Sequence, residues 1–593
     1  MAFQAGTWNQ LPSNCTRRVV LTYLRCAAWG LFTIQDCLAG AWSLTTKCVK
    51  RVWENVKTCS WWSFLFCVLW AVVATLVCVA VEIIAVFTCF LLVVISWIGC
   101  LFWTLVSIIF CLTDMYGGTA FLLTDGSIMM QEWQISTSVE AEPTRRWWKL
   151  TPDQFGSYLN GSWSQLADSH VARGAFASAV LADGRLVICG GEVSDASGSV
   201  TQDFNNTCEI YDPVANTWTT FASPTLPGST QVWNRIGDAP CALLPDGTLL
   251  LGSVDSGNVA KLDPVTLTWT AMTPRPIVGD SDEESWVLMQ DITVVAPSCR
   301  KHQTTWIYHV ASDVWKQSNN LTADVIGAGD EIGPGLLLYD GTAFFLGGNE
   351  HTAIYAAGAT PWSNGPDLPV QNGQKLGILD GPAALLVNGN ILFGAGQAQK
   401  DEFGNYSQPS WFFEYDGSAF FKTNDPPNSN CRTMDSRLLL LPDGSVMFCR
   451  QNDSSFYAYQ SPATPQDSFR PVIQTCPTTL LLGSTIQISG LQFNGLSQAV
   501  AYGDDSQTAT NYPLVRIVNK RSNHVRYCRT FQHTTVDING NTIPSMGVAT
   551  GTALITTNVE IPVNTEPGDS QLFVVANGIP SLPFDVTVSN GLF

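Results

Sequence analysis

The chain has 593 residues, enough for several domains, and carries 30 Lys and Arg against 49 Asp and Glu, a net charge of -19. An acidic surface of that size excludes nucleic acid as a partner, because phosphate is held by basic side chains. None of the 18 cysteines stands in the CxxC spacing of a zinc site.

The N-terminal region is ruled by cysteine. Cys15, Cys26, Cys37, Cys48 and Cys59 follow one another at intervals of eleven, and so do Cys67, Cys78, Cys89, Cys100 and Cys111, with one gap of eight between the two sets. Eleven residues make three helical turns at 3.67 per turn, so the thiols return to one stripe of an α-helix. The pattern predicts a long helix with the short gap as a local stammer. Cysteine is small and apolar and lets helices approach closely, which makes the stripe a candidate seam for a parallel homo-oligomer.

Residues 1–60 are basic, with Arg17, Arg18, Arg25, Lys47, Lys50, Arg51 and Lys57 against Asp36 and Glu54. Residues 61–112 are apolar, with Glu82 their one charge. That block is longer than the ~20 residues a bilayer requires and far longer than the apolar core of a signal peptide. It predicts a membrane-anchored stalk, its partners membrane lipid and other copies of the chain. Basic residues ahead of the block put the N-terminus in the cytoplasm and, with one crossing, residues 113–593 outside. Two crossings with a turn near Glu82 are the alternative.

From residue 113 the periodicity changes. Seven segments, 117–130, 175–191, 238–253, 283–297, 332–348, 380–396 and 435–449, each read as an apolar run, a turn and a second apolar run. The turn is Asp-Gly in five, Asn-Gly in one and Asp-Ile in the fourth. Asp-Gly supplies the positive φ of a two-residue hairpin turn. Aromatic strands follow, as in IYDPVANTW and WIYHVASDVW. The unit predicts a mainly β fold, a seven-bladed kelch-type propeller over 113–470. Short alternating strands over 471–593 predict an immunoglobulin-like β-sandwich. Eight further cysteines lie in this outer part; Cys189, Cys241 and Cys449, in or beside hairpin strands, read as buried small hydrophobes.

A kelch-type ring followed by a sandwich containing GDDSQTATNYPLVRI, RTFQHTT and VVANGIPS resembles the galactose oxidase and glyoxal oxidase superfamily over residues 113–593. The resemblance implies one copper held by two tyrosines and two histidines, with one tyrosine crosslinked to a cysteine. The matching positions have changed. Where the family places Tyr-His-Ser before a Leu-rich run and Pro-Asp-Gly, this chain has Met434, Asp435 and Ser436. The crosslinked tyrosine falls on Asp238, and its cysteine on Ala175 or Phe176. Only the histidine of the last domain has a counterpart, His533. Copper is therefore not expected, nor is copper-radical oxidase activity.

The replacements share a position. The residues eight before the turn are Gly117, Ala175, Asp238, Glu283, Ile332 (beside Glu331), Asp380 and Asp435. Sevenfold pseudosymmetry would gather Asp238, Glu283, Glu331, Asp380 and Asp435, with His533, at the axial mouth. Crowded carboxylates raise one another's pKa or bind a hard cation such as calcium. Each acid could instead cap backbone amides at a strand entry, or two could act as acid and base on a sugar. The leading expectation is a surface protein that binds a ligand such as carbohydrate. An enzyme with an altered metal site and a structural spacer are the alternatives.

Overall fold

The computed structural model describes residues 4–11, 47, 50–51, 54, 71–80, 83, 115–135, 141–277, 281–399, 408–498, 500–501, 509–548 and 553–590. They fall into two units, residues 1–12 with 116–593, and residues 13–115.

The larger unit is mainly β and propeller-like. Antiparallel sheets follow one another along it, most with four successive strands; the second takes its four from two hairpins separated by strands of a small three-stranded sheet, and the fifth and sixth each carry a fifth strand. The first comprises Ala120–Leu122, Ile128–Ile135, Ala141–Thr151 and Ser162–Gln165. Innermost strands meet between the second and third, third and fourth, fourth and fifth, and sixth and seventh sheets, and that of the seventh, Ser436–Leu440, meets that of the first. The seventh sheet is completed by an N-terminal strand, Thr7–Gln10, antiparallel to Tyr457–Gln460. That strand departs from the helix expected over residues 1–60. It is held by Trp8, whose ring packs on Phe412, Phe448 and Tyr459 and whose Nε1 donates to Asn424 O at 2.7 Å.

The aromatic strands are braced by ring pairs within single sheets. Tyr211 pairs across the ladder with Trp218, Tyr308 with Trp315, Tyr355 with Trp362 and Tyr415 with Phe420. The paired rings lie about 5 Å apart, wedges of one shape repeated around the ring.

The hairpin turns differ from the two-residue form. Leu123 N donates to Ser127 O and Gly126 N to Leu123 O, which closes a three-residue loop with only the glycine at positive φ. In the fourth repeat Ile292 takes that left-handed place, at φ 63°.

The sandwich packs a five-stranded sheet on a six-stranded one around Leu480, Ile488, Val515, Ile555, Leu572 and Val586. It covers the turn end of the ring. Thr530 N donates to Thr124 O, Gln532 N to Ala182 O and Met546 N to Pro245 O. It also adds the strand Val500–Ala501 to the fifth sheet, against Gly335 and Leu336.

Of the second unit, residues 47, 50–51, 54, 71–80 and 83 are helical. Among the described residues no helix is long and apolar enough to cross a membrane. The expected seam falls largely outside the described residues, as do Cys15, Cys26, Cys37, Cys48, Cys59, Cys67, Cys89, Cys100 and Cys111. In the larger unit Cys189 is not a lone buried thiol: it is disulfide-bonded to Cys208, its cross-strand neighbour. Cys241 and Cys449 remain buried thiols.

Candidate metal centre at the axial mouth

Each inner strand runs from the mouth to its turn, so residues eight before the turns lie at the end opposite the sandwich. The local backbone there is unusual. Glu283 and Asp380 have φ of 60° and 47°, and Ala175, their counterpart in the second repeat, 51°. L-residues rarely hold a left-handed conformation unless their surroundings over-determine it.

The structure brings four of the expected acids together. Oxygens of Glu283, Glu331 and Asp380 lie within 4.8 Å of one another, and oxygens of Asp238, Asp282 and Glu283 form a second such group. Glu283 belongs to both. Four consecutive repeats, the third to the sixth, thus contribute to one carboxylate cluster.

Asp238 is 2% exposed, and among the described residues its Oδ1 has no hydrogen-bond partner. Burial holds its carboxyl well above the usual carboxylate range, and the charges of Asp282 and Glu192 push the same way. Glu192 is also raised, chiefly by burial, with Asp380 and Asp282 adding to it and the Gln202 side chain opposing. Asp282 and Glu192 escaped the sequence reading. Asp282 is one residue before the repeat position, and Glu192 follows the Gly190-Gly191 pair that ends a different strand.

The charges beneath and beside the cluster are arranged differently. Glu284 forms a two-pronged pair with Arg275 at 2.6 and 2.8 Å, both side chains buried. Arg300 pairs with Asp282 and, at 2.8 Å, with Asp330. One arginine thus offsets part of the cluster's charge at its edge.

Two expected members stand elsewhere. Asp435 ends a short 3-10 turn, Thr433–Asp435, and pairs with Arg432 at 2.7 Å while accepting from the Arg432 backbone N–H. It does what the capping alternative describes. His533 lies in the sandwich strand Thr530–Val536, its Nδ1 2.9 Å from Thr557 Oγ1. Burial pulls its pKa down to about 3. It sits at the sandwich end rather than in the mouth, because its strand pairs within the sandwich sheet.

The donor set does not suit copper. Cu(II) favours imidazole and a tetragonal N,O set. All six histidines are described and none joins either carboxylate group. Phe176 is buried against Phe121, where the resemblance calls for a thioether-forming cysteine. An all-oxygen cluster is suited to a hard cation.

Comparison with known proteins agrees with the repeat. Residues 173–225 match the Kelch motif. No curated protein matches the chain. Among solved structures the chain is similar to a fungal alcohol oxidase of the AA5 family in complex with copper, at 14% identity and a TM-score of 0.43, over 80% of this chain and 98% of that one.

Proposed function

We propose that this chain is a ligand-binding protein whose seven-bladed propeller holds a hard divalent cation, calcium foremost, at its axial mouth in place of copper. Residues 61–112 would seat it on membrane lipid, with the propeller and sandwich displayed outside and a carbohydrate as ligand. The observation that carries the reading is the pair of carboxylate groups joined at Glu283, with the buried Asp238 Oδ1 lacking a hydrogen-bond donor among the described residues. Buried like charges repel unless a proton or a cation lies between them. Calcium takes 6–8 oxygen ligands, and hydroxyls of a sugar can fill positions the protein leaves open.

The test is calorimetric titration of calcium into full-length protein stripped with EDTA, followed by a glycan array with and without calcium. Saturable binding that weakens at least tenfold in Asp238→Asn is expected, and glycan signal should require the cation. Absence of binding at millimolar calcium overturns the cation site. Glycan binding that persists in EDTA moves the ligand away from the mouth. One observation favours an enzyme instead: Asp238 is held toward its protonated form beside Asp282, the division of roles that acid–base chemistry uses. Sugar release abolished by Asp282→Asn would replace binding by hydrolysis.

A further inference from the structure

The acids of the mouth lie beside one loop, residues 298–304, which joins the second and third strands of the fourth sheet, Thr293–Pro297 and Thr305–His309. The second strand runs back from its turn, so the loop emerges at the mouth. It is closed on itself: Ser298 N donates to Thr304 O at 2.9 Å and Thr304 N to Lys301 O at 3.0 Å.

Three side chains of this loop meet the acids or their neighbours. Cys299 is fully buried, and its Sγ donates to Glu283 O at 3.0 Å. Arg300 grips two carboxylates, Asp282 through Nη2 and Asp330 through Nη1, the latter at 2.8 Å. His302 lies between Asp330 and Asp324, its Nε2 3.3 Å from the first and its Nδ1 2.7 Å from the second. Asp282 and Glu283 precede the inner strand of the fourth sheet, and Asp330 and Glu331 precede that of the fifth.

The other repeats show what Cys299 does. In the second, Glu192 N donates to Ala175 O at 2.9 Å; in the seventh, Gln451 N donates to Asp435 O at 2.7 Å. Each fixes the carbonyl of the residue eight before the turn. In the fourth repeat the donor at the matching place is the Cys299 side chain. Burial holds that thiol well above its usual pKa, with Glu284 and Glu331 acting the same way, so its proton stays on sulfur. The backbone it grips is the left-handed Glu283, φ 60°, a conformation that persists where its surroundings fix it. Glu283 is also the one acid common to both carboxylate groups.

We propose that the 298–304 loop positions the cation site: Cys299 fixes the carboxylate that both groups share, and Arg300 fixes Asp282 against Asp330. This role presupposes the cation site proposed above. Cys299 and Arg300 act through Glu283 and Asp282 and are not themselves ligands. A positive charge beside a cation weakens its binding by charge alone. The double grip of a planar guanidinium on two acids acts in the other direction, by holding Asp282 in place.

The test is calorimetric titration of calcium into the EDTA-stripped full-length parent and three variants, with a melting curve of each in EDTA. Cys299→Ala should weaken calcium about tenfold, the worth of one hydrogen bond. Cys299→Ser keeps a donor at the carbonyl and should recover most of that loss. Arg300→Lys keeps the charge but loses the fork that spans two acids, and should weaken calcium about threefold. Equal affinities for Cys299→Ala and Cys299→Ser, whatever their melting temperatures, reduce Cys299 to core packing and overturn its role. Parent-like binding by Arg300→Lys makes Arg300 a charge only and overturns the other half. If Cys299→Ala does not fold, Arg300→Lys still decides, since that side chain is 31% exposed. A parent that takes up no calcium overturns the cation site itself; a binding parent with unaffected variants overturns the loop's part alone.

Discussion

The two ends of the ring use the same residue type to opposite effect. At the turn end, the aspartates or asparagine of all seven repeats accept from the backbone N–H two residues on, as Asp125 does from Ser127, Asp246 from Thr248 and Asp443 from Ser445. Each is satisfied within its own turn. At the mouth, acids eight residues earlier face one another across repeats, and the buried Asp238 Oδ1 finds no donor among the described residues. A carboxylate repeated because the fold repeats is a local device at one end. At the other end the convergence of the strands turns it into a shared charge cluster.

The largest effect should come from the paired acid beneath the mouth. Arg275→Met strands Glu284 in the interior and should cost about 3–5 kcal/mol in chemical denaturation. A loss under about 1 kcal/mol would mean that the buried pair does not set the boundary between structural and functional acids. At the sandwich end, His533 is neutral when folded, its pKa lowered to about 3 by burial from an ordinary 6.5. In the unfolded chain it takes up a proton below pH 6.5. Stability from this group is therefore present above that pH and lost as pH falls toward 3, by about 3 kcal/mol between pH 6.5 and 4. His533→Asn should flatten that part of the profile; an unchanged slope would assign the acid sensitivity to other groups.

A smaller effect sharpens the contrast at the mouth. Asp238→Asn should stabilise the EDTA-treated protein by about 1–2 kcal/mol, because one of the crowded charges is gone. It should also abolish the rise in melting temperature that calcium gives the parent. Destabilisation in EDTA would show that the acid has a structural role. Ile292→Gly should add about 1 kcal/mol, since a β-branched residue there holds the left-handed conformation that glycine supplies in the other repeats. Asp435→Asn should leave calcium affinity unchanged, because Arg432 already holds that carboxylate; a loss of affinity would return Asp435 to the cluster.

Much of the architecture was legible because repetition is a property of the sequence. Seven turns at matched offsets require seven similar hairpins, and a constant offset of eight puts Asp238, Glu283 and Asp380 at one end of their strands. Asp282 and Glu192 were not legible, since the first depends on the left-handed turn at Glu283 and the second on a different strand's exit. Asp435 and His533 share the expected motifs, yet a 3-10 turn and the sandwich ladder carry them to other partners.

By itself the sequence determined period: eleven in the first hundred residues and a turn-centred unit in the rest, each with its preferred secondary structure. A period alone, however, does not say which segments meet. Only the pairing of Thr7–Gln10 with Tyr457–Gln460 brings the first residues of the chain to the seventh sheet. Local spacing records how residues recur along a chain. Which of them meet is decided by contacts hundreds of residues apart, and those exist only once the ring has closed.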